Sequence, residues 1–298
     1  MIRPPSLETG DLVAIVATAR SVSRQSMEAA KELLESWGLE VIFGPHLFEV
    51  CDQFAGDDQS RITDLQWALD HPKVKAILCA RGGYGTTRVL DRINFQILLS
   101  KPKWICGFSD ITAILCHLQK LGIESIHSTM PLLFDGTGHE ASSESLRQLL
   151  FGQATGLERG THKFNQKGKA RGKLLGGNLS ILVHLLGTPS EPDFTNKILV
   201  LEDIDEYLYH LDRMMLQLVR AGKLNRLAGL IVGQMTDMND NKIPFGKTAE
   251  EIIKSHVKSY DYPVAFGFQI GHDKPNIAIP IGRDADLTIT STGAQLIY

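Results

Sequence analysis

Short apolar runs alternate with helical segments in the first half of the chain. The apolar runs predict strands at 12–17, 41–43, 74–79, 103–106 and 124–127. Between them, apolar residues recur at the spacing of one helix face, which predicts helices at 25–37, 61–69, 86–90 and 111–121. Strands that alternate with helices indicate a parallel sheet covered on both faces, so the expected fold class is α/β.

The pattern changes near the middle of the chain. Residues 151–170 are rich in glycine, lysine and polar side chains, which predicts a linker. The remainder has predicted helices at 179–186 and 207–220 and predicted strands at 197–201, 227–232, 264–266, 277–281, 287–289 and 295–298. We therefore expect an N-terminal α/β domain over 1–150 and a smaller, β-rich α/β domain over 171–298.

Composition narrows the class of protein. A chain of 298 residues is too long for one typical core and suits two domains. The net charge of −3 gives no basic surface for nucleic acid or an anionic membrane. The N-terminal segment lacks the charged-then-apolar order of a signal peptide, and no apolar run is long enough to span a membrane. We expect a cytoplasmic protein that binds neither nucleic acid nor membrane.

The sequence GFSD at 107–110 supplies a candidate nucleophile, Ser109. It lies between a predicted strand and a predicted helix. A serine on such a turn is exposed at the carboxyl edge of a sheet, and the helix N-terminus leaves backbone N–H groups for an oxyanion. The alternative is an ordinary serine at a helix N-cap. The turn predicts acyl-transfer chemistry if a base and an acid accompany it, because a hydroxyl alone is a poor nucleophile.

The candidate base is His272, one of ten histidines. It lies in the irregular segment GHDKPN at 271–276, whereas His127 ends a strand close to the serine turn and could line the site. The candidate acid is Glu202, at the carboxyl end of the strand 197–201, where a carboxylate needs a partner. Three neighbouring carboxylates remain open as alternatives for the acid: Asp203, Asp205 and Glu206. Capping of the following helix is the competing role for this acidic cluster, and it suits Asp205 better than Glu202.

The sequence RGGYG at 81–85 completes the predicted site. Glycines after a strand let backbone N–H groups approach a ligand oxygen, so the N–H groups of Gly83 and Asp110 could form an oxyanion hole. A phosphate loop is the competing interpretation, but neither G-x-G-x-x-G nor a Walker lysine-serine pattern is present. No H-E-x-x-H motif or histidine pair at ligand spacing occurs, so no metal site is expected.

Several sequence blocks, in one order, resemble the L,D-carboxypeptidases, serine peptidases of peptidoglycan recycling. They are FAGDDQSRITDLQWAL, VKAILCARGGYGTTRVL, GFSDITAIL, LLGGNLSIL, ILVLEDIDEYLYHLDRM, GLIVGQ and GHDKPNIAIPIG. The resemblance implies a triad of Ser109, His272 and Glu202, with Gly83 and Asp110 as oxyanion donors. It also implies a flavodoxin-like or glutamine-amidotransferase-like N-terminal domain, a β-rich C-terminal domain, a site at the domain interface and a cytoplasmic homodimer without metal or organic cofactor.

The implied reaction is hydrolysis of the amide between the L-centre of a diamino acid and the terminal D-alanine of a murein tetrapeptide. Arg81 is a candidate for holding the substrate's terminal carboxylate, although a salt bridge securing its loop is an alternative role. Tyr84 and Asn178 are further candidate pocket residues. Two segments depart from the resemblance, ATARSVS at 17–23 and the Ser-Thr pair at 128–129, and both could touch substrate.

Two other functions remain open on the same scaffold. One is a microcin-immunity peptidase that cleaves aminoacyl-nucleotide conjugates, which aromatic residues able to stack on a base would favour. The other is a non-catalytic protein that binds murein peptides. An intact set of nucleophile, base and acid argues against the second, since a binding protein has no need of all three.

Overall fold

The computed structural model describes residues 1–134 and 136–298, which divide into two compact units. The first unit comprises Met1–Ala154 and Lys274–Ile281, and the second comprises Thr155–Asp273 and Gly282–Tyr298. The boundary near residue 154 lies close to the predicted one. The return of residues 274–281 to the first unit differs from the prediction, which assigned the whole C-terminal part to the second domain.

The first unit is built on a six-stranded sheet in the order β11-β5-β4-β3-β1-β2. Its strands are β1 (Leu12–Val16), β2 (Glu40–Phe43), β3 (Val74–Cys79), β4 (Trp104–Gly107), β5 (Ser125–His127) and β11 (Ile279–Ile281). Strands β1 to β5 pair in parallel, and β11 pairs antiparallel with β5. Strands β1, β3 and β4 are mostly apolar and buried, as expected for the central strands of a sheet that helices cover on both faces.

The helices of the first unit are α1 (Arg24–Ser36), α2 (Asp58–Asp70), α3 (Thr86–Leu90), α4 (Thr112–Lys120) and α5 (Glu140–Leu150). Side-chain caps begin the two longest: Ser23 Oγ accepts from the N–H of Ser26, and Asp57 Oδ1 accepts from the N–H of Ser60. Helix α1 buries Met27, one of the apolar residues that predicted it. Helix α5 was not predicted.

The second unit is built on a seven-stranded sheet in the order β10-β9-β8-β7-β12-β13-β6. Its strands are β6 (Gly156–Arg159), β7 (Gly168–Asn178), β8 (Lys197–Ile204), β9 (Gly229–Thr236), β10 (Val264–Phe266), β12 (Asp284–Ile289) and β13 (Ala294–Ile297). Strands β7 to β10 pair in parallel, and β7, β12, β13 and β6 form the antiparallel part of the sheet. The helices are α6 (Leu179–His184), α7 (Leu208–Arg220) and α8 (Ala249–Val257).

The predicted linker at 151–170 contains strand β6 and the first residues of β7 in the structure. Exposed Lys169 and Arg171 alternate with half-buried residues in β7, so this part of the sheet has one solvated face. The alternation, together with several glycines, gives the segment the composition of a loop. The sheet therefore begins well before residue 171.

The mixed α/β class and the mostly parallel N-terminal sheet that the sequence predicts are confirmed. Among the helices of residues 1–134 and 136–298, none combines the length and apolar character that a membrane span requires.

Candidate active site

Ser109 lies on a strained turn where β4 meets α4. Strand β4 ends at Gly107, Phe108 is extended, and Ser109 has φ of 60°, a left-handed conformation that residues other than glycine rarely adopt. Gly107 allows the turn to close, because a Cβ on it would lie 2.9 Å from Cγ1 of Ile111. This strand–turn–helix geometry is that of a nucleophile elbow, in which local strain holds the serine hydroxyl away from the sheet.

The glycine loop after β3 lies against this turn within the first unit. A Cβ on Gly82 would lie 3.2 Å from Cβ of Ser109 and 3.4 Å from the backbone N of Asp110. Gly83 has φ of 108° and thus also adopts a conformation that favours glycine. The two predicted oxyanion donors, Gly83 and Asp110, therefore belong to neighbouring turns.

The side chain of Asp110 links the nucleophile turn to the start of α3, the helix that follows the glycine loop. It is buried, and its Oδ2 accepts a hydrogen bond of 2.9 Å from the backbone N–H of Thr86, at the start of α3. Thr86 Oγ1 also lies 2.9 Å from Oγ1 of Thr18 in the β1–α1 turn. These contacts fix the position of the glycine loop relative to Ser109, which a preorganised oxyanion hole requires.

The other predicted residues of the first unit have different surroundings. The Arg81 guanidinium is half-buried and donates from Nη1 to the carbonyl oxygen of Ser21 at 3.2 Å. Burial and the nearby charge of Arg20 lower the pKa of Arg81. Tyr84 is 46% exposed, with its ring centroid 6.0 Å from that of Phe54.

His127, considered from the sequence as a residue lining the site, is fully buried in β5. Its ring lies edge-on to Phe108, with 5.9 Å between centroids. Phe108 directly precedes Ser109 in the chain, so His127 packs behind the nucleophile turn.

Glu202 and His272 form a hydrogen-bonded pair within the second unit. Oε2 of Glu202 lies 2.7 Å from Nδ1 of His272, and Glu202 is completely buried while the His272 side chain is 12% exposed. A carboxylate accepts from Nδ1–H, so Nε2 is the nitrogen left to accept a proton. Burial opposes protonation, but the hydrogen bond and charge of Glu202, with the charges of Asp203 and Asp273, outweigh it and raise the pKa of His272.

The loop that carries His272 is anchored to β9. Gly271 has φ of 139°, and a Cβ on it would lie 3.0 Å from Cβ of Gln234 and 3.1 Å from Cβ of Glu202. Oε1 of Gln234 accepts from the N–H of Asp273 at 3.0 Å. Sequence reasoning did not single out Gln234, although it ends the block GLIVGQ, just after a predicted strand. It positions the histidine loop by hydrogen bonding to its backbone.

Glu202 lies inside a strand and not at its end. Strand β8 continues to Ile204, and its register with β9 shifts between Leu201 and Asp203. The predicted strand was too short because an acidic pair normally ends an apolar strand. The sequence suggested Asp205 as a cap of the following helix, but the residue directly before α7 is Tyr207. Asp205 has φ of 58° and accepts instead from Nδ2 of Asn239.

Asn178 and Asp203 join the ends of β7 and β8 beside this pair. Nδ2 of Asn178 donates to Oδ1 of Asp203 at 2.8 Å, and the N–H of Ser180 donates to Oδ2 at 2.9 Å. Oδ1 of Asn178 accepts from the N–H of Ile181 and so caps α6. Burial and the adjacent charge of Glu202 raise the pKa of Asp203 to about 7. Both ends of the Asn178 amide are thus engaged within the unit.

The predicted site residues therefore form two groups. The first unit holds the predicted nucleophile and oxyanion donors together with two candidate pocket residues: Ser109, Gly83, Asp110, Arg81 and Tyr84. The second unit holds the pair of Glu202 and His272, and also Asn178. Within the part of the chain that the structure describes, no three His, Cys, Asp or Glu side chains cluster in a way that could hold a metal ion.

Comparison with known proteins assigns the family. Residues 13–128 match the LD-carboxypeptidase N-terminal domain, and residues 171–287 match the LD-carboxypeptidase C-terminal domain. The chain therefore belongs to the LD-carboxypeptidase family. This confirms the family and the enzyme class, a carboxypeptidase, that the sequence blocks predicted.

Relatives along almost the whole chain agree with this assignment. The "Probable murein peptide carboxypeptidase" of Bacillus subtilis is 36% identical over 99% of this chain and 94% of the relative. The "Murein tetrapeptide carboxypeptidase" of Pseudomonas aeruginosa is 30% identical over 92% of each chain.

Two solved structures share the fold. The muramoyltetrapeptide carboxypeptidase from Oxalobacter formigenes is 29% identical, covers 96% of this chain and 98% of its own, and superposes with a TM-score of 0.88. The microcin C7 self immunity protein MccF superposes with a TM-score of 0.87 over 98% of this chain and 97% of its own. Its identity is only 18%, so this second likeness concerns the fold alone.

Proposed function

We propose that this chain is a serine L,D-carboxypeptidase that removes the terminal D-alanine from murein tetrapeptides. The observation that carries the proposal is the buried hydrogen bond between Glu202 and His272. A histidine oriented by a buried carboxylate is the base that an acyl-transfer site needs, and the chain offers a strained serine turn as its nucleophile. Relatives named as murein peptide carboxypeptidases supply the substrate class.

In the proposed reaction, Ser109 Oγ attacks the carbonyl carbon of the bond to D-alanine. Nε2 of His272 accepts the hydroxyl proton, while Nδ1–H remains hydrogen-bonded to Glu202. The imidazolium that forms is stabilised by the Glu202 carboxylate, which agrees with the raised pKa of His272. The result is a tetrahedral intermediate bonded to Ser109.

The negative charge of that intermediate lies on the former carbonyl oxygen. The backbone N–H groups of Gly83 and Asp110 donate to it, and each such donor is worth roughly 10²–10³ in kcat in comparable sites. The intermediate then collapses, and His272 returns its proton to the nitrogen of the departing D-alanine. Water, deprotonated by His272, attacks the ester and releases the tripeptide from Ser109.

The remaining expectations belong to the same proposal. Arg81, Tyr84 and Asn178 line the peptide site, Asn178 acting through its hydrogen bond to Asp203. The enzyme works as a cytoplasmic homodimer, with no metal or organic cofactor in the reaction.

D-alanine release from a tetrapeptide tests the proposal. Wild-type protein should release stoichiometric D-alanine and tripeptide, Ser109→Ala should lose at least about 10³-fold in rate, and Ser36→Ala should match wild type. Ser36 is the matched control because it is exposed on α1 and donates only to the Leu33 carbonyl oxygen. Equal release by Ser109→Ala and wild type would overturn the mechanism.

Two further substrates separate the alternatives. Cleavage of an aminoacyl-sulfamoyl nucleoside without tetrapeptide cleavage would assign the microcin-immunity activity instead. Tight tetrapeptide binding without cleavage of either compound would indicate a non-catalytic binding protein.

A further inference from the structure

Two arginines beside the nucleophile turn have no acidic partner. Arg20 follows β1, and Arg81 follows β3. Across residues 1–134 and 136–298, neither guanidinium has a carboxylate within 4.0 Å, whereas nearby Arg24 and Arg88 both pair with acids. The salt bridge considered for Arg81 from the sequence is thus replaced by its hydrogen bond to the Ser21 carbonyl oxygen. Two adjacent cations are left available for an anion.

Arg20 occupies the space that a side chain on Gly83 would fill. Its Cδ lies 2.6 Å and its Nε 2.8 Å from the position of a Cβ on Gly83. On the other side of the loop, the corresponding position on Gly82 lies 3.2 Å from Cβ of Ser109. The glycine loop therefore lies between the Arg20 side chain and the nucleophile turn and packs against both, all within the first unit.

The backbone of Arg20 is fixed even though its side chain is exposed. Arg20 forms a bridge with Phe54, and the N–H of the next residue, Ser21, donates to the carbonyl oxygen of Gln53 at 3.0 Å. The same Ser21 accepts from Arg81. Both arginines are thus attached to one turn, which keeps their charges close together.

The proximity of two like charges has an electrostatic cost. After burial, the charge of Arg20 is the second cause that lowers the pKa of Arg81. An anion bound between the two guanidinium groups would remove the repulsion. Guanidinium groups bind carboxylates through two parallel hydrogen bonds, so a planar carboxylate is the ligand that fits best.

We infer that Arg20 and Arg81 together bind the free C-terminal carboxylate of the residue that the enzyme removes. This inference rests on the proposed function and deepens it, since it assigns the group that restricts cleavage to the end of a peptide. When the scissile carbonyl is bound at Gly83, the carboxylate of the leaving residue lies one peptide unit away, within about 4 Å. The side chain of Arg20 lies against Gly83, next to the place that the proposal gives to the scissile carbonyl.

Paired peptides test the inference. The substrates are a tetrapeptide ending in D-alanine and the same peptide ending in D-alaninamide, each with lysine at position three so that no side-chain carboxylate is present there. We expect Arg20→Gln and Arg81→Gln to raise KM for the acid at least about tenfold, with little change in KM for the amide. Arg24→Gln should behave as wild type, because Arg24 is exposed and pairs with Glu28.

Two results with these peptides, and a third with a different diamino acid, would overturn the inference. One is an equal effect of Arg20→Gln on the acid and the amide, and the other is no effect on either. If the KM change appears only with a diamino acid that carries its own carboxylate at position three, the pair binds that carboxylate and the assignment to the C-terminus is wrong.

Calorimetric binding to Ser109→Ala keeps the inference separate from catalysis. This variant should bind the acid at least about tenfold more tightly than the amide, and the preference should disappear in Ser109→Ala/Arg20→Gln. If the wild-type protein releases no D-alanine and Ser109→Ala still binds the acid more tightly than the amide, the proposed function is refuted but the carboxylate site is not. An absent preference would refute the carboxylate site.

Discussion

Glu202 and His272 are hydrogen-bonded at 2.7 Å, although 70 positions separate them in the sequence. The carboxylate lies inside strand β8, and the imidazole lies on a loop that Gln234 of β9 holds by its backbone. Because β8 and β9 are neighbours in one sheet, the pair is set by the sheet and not by a flexible contact. Such fixed orientation is what a general base requires.

The activity should rise with pH along a limb set by His272. In the proposed mechanism neutral imidazole is the base, and because the pKa of His272 is raised, the neutral form becomes the major one only at a pH above the ordinary value of 6.5. In Glu202→Gln the opposing effect of burial remains while the raising effect of the carboxylate is lost. The limb of kcat/KM should therefore move to lower pH, and kcat should fall on the order of 10³-fold or more.

A control variant separates this effect from general charge removal. Glu144→Gln alters an exposed carboxylate that pairs with Arg147, and it should leave the limb in place. A limb that stays fixed or moves to higher pH in Glu202→Gln would contradict the role assigned to the pair.

Gly83→Ala should reduce catalysis more than stability. With φ of 108°, alanine at this position is strained and the backbone N–H turns away from the oxyanion. We expect kcat to fall about 10²–10³-fold and the free energy of unfolding to fall by about 1–2 kcal/mol. Gly122→Ala is the matched control, because Gly122 has φ of 81° with open space around it.

In denaturant titrations Gly83→Ala should lose at least as much stability as Gly122→Ala, because its Cβ must also displace the Arg20 side chain, but only Gly122→Ala should keep full kcat. Equal kcat for Gly83→Ala and Gly122→Ala would remove Gly83 from the oxyanion hole.

The strain at Ser109 should be measurable as stability. Ser109→Ala keeps the strain, because alanine also carries a Cβ in the left-handed conformation. Ser109→Gly relieves the strain, because glycine has no Cβ. Allowing for the greater unfolded-state entropy of glycine, Ser109→Gly should be more stable than Ser109→Ala by roughly 1 kcal/mol. Both variants should be inactive. If the glycine variant is equally or less stable, the turn does not store strain.

The parallel strands were the most predictable part of the fold. Val74–Cys79 is observed with the predicted bounds because, apart from the exposed Lys75 near its start, it is a buried apolar run, as is typical of a strand covered on both faces. Strand β6 and the start of β7 were missed because one face of this antiparallel part of the sheet is solvated, and its glycines give the segment the composition of a loop. The pairing of β11 with β5 joins residues more than 150 positions apart, and no local pattern reports it.

The candidate site was predictable where chemistry leaves a pattern in the sequence. Ser109 follows an apolar strand in a glycine-containing turn, and His272 stands in an irregular segment, so both could be singled out. The segment 17–23 was noted as one that could touch substrate, but neither Arg20 within it nor Gln234 was singled out. An arginine in a turn and a glutamine after a strand are common, and only the folded chain shows what they contact.

The central claim of the proposed function is that Ser109 and His272 act as nucleophile and base in one reaction. The measurement is the rate of D-alanine release by Ser109→Ala, His272→Ala and the double variant. Each single variant should lose at least about 10³-fold, and the double variant should lose no more than the worse single one. Losses that multiply in the double variant, or a single variant that keeps wild-type activity, would contradict the claim.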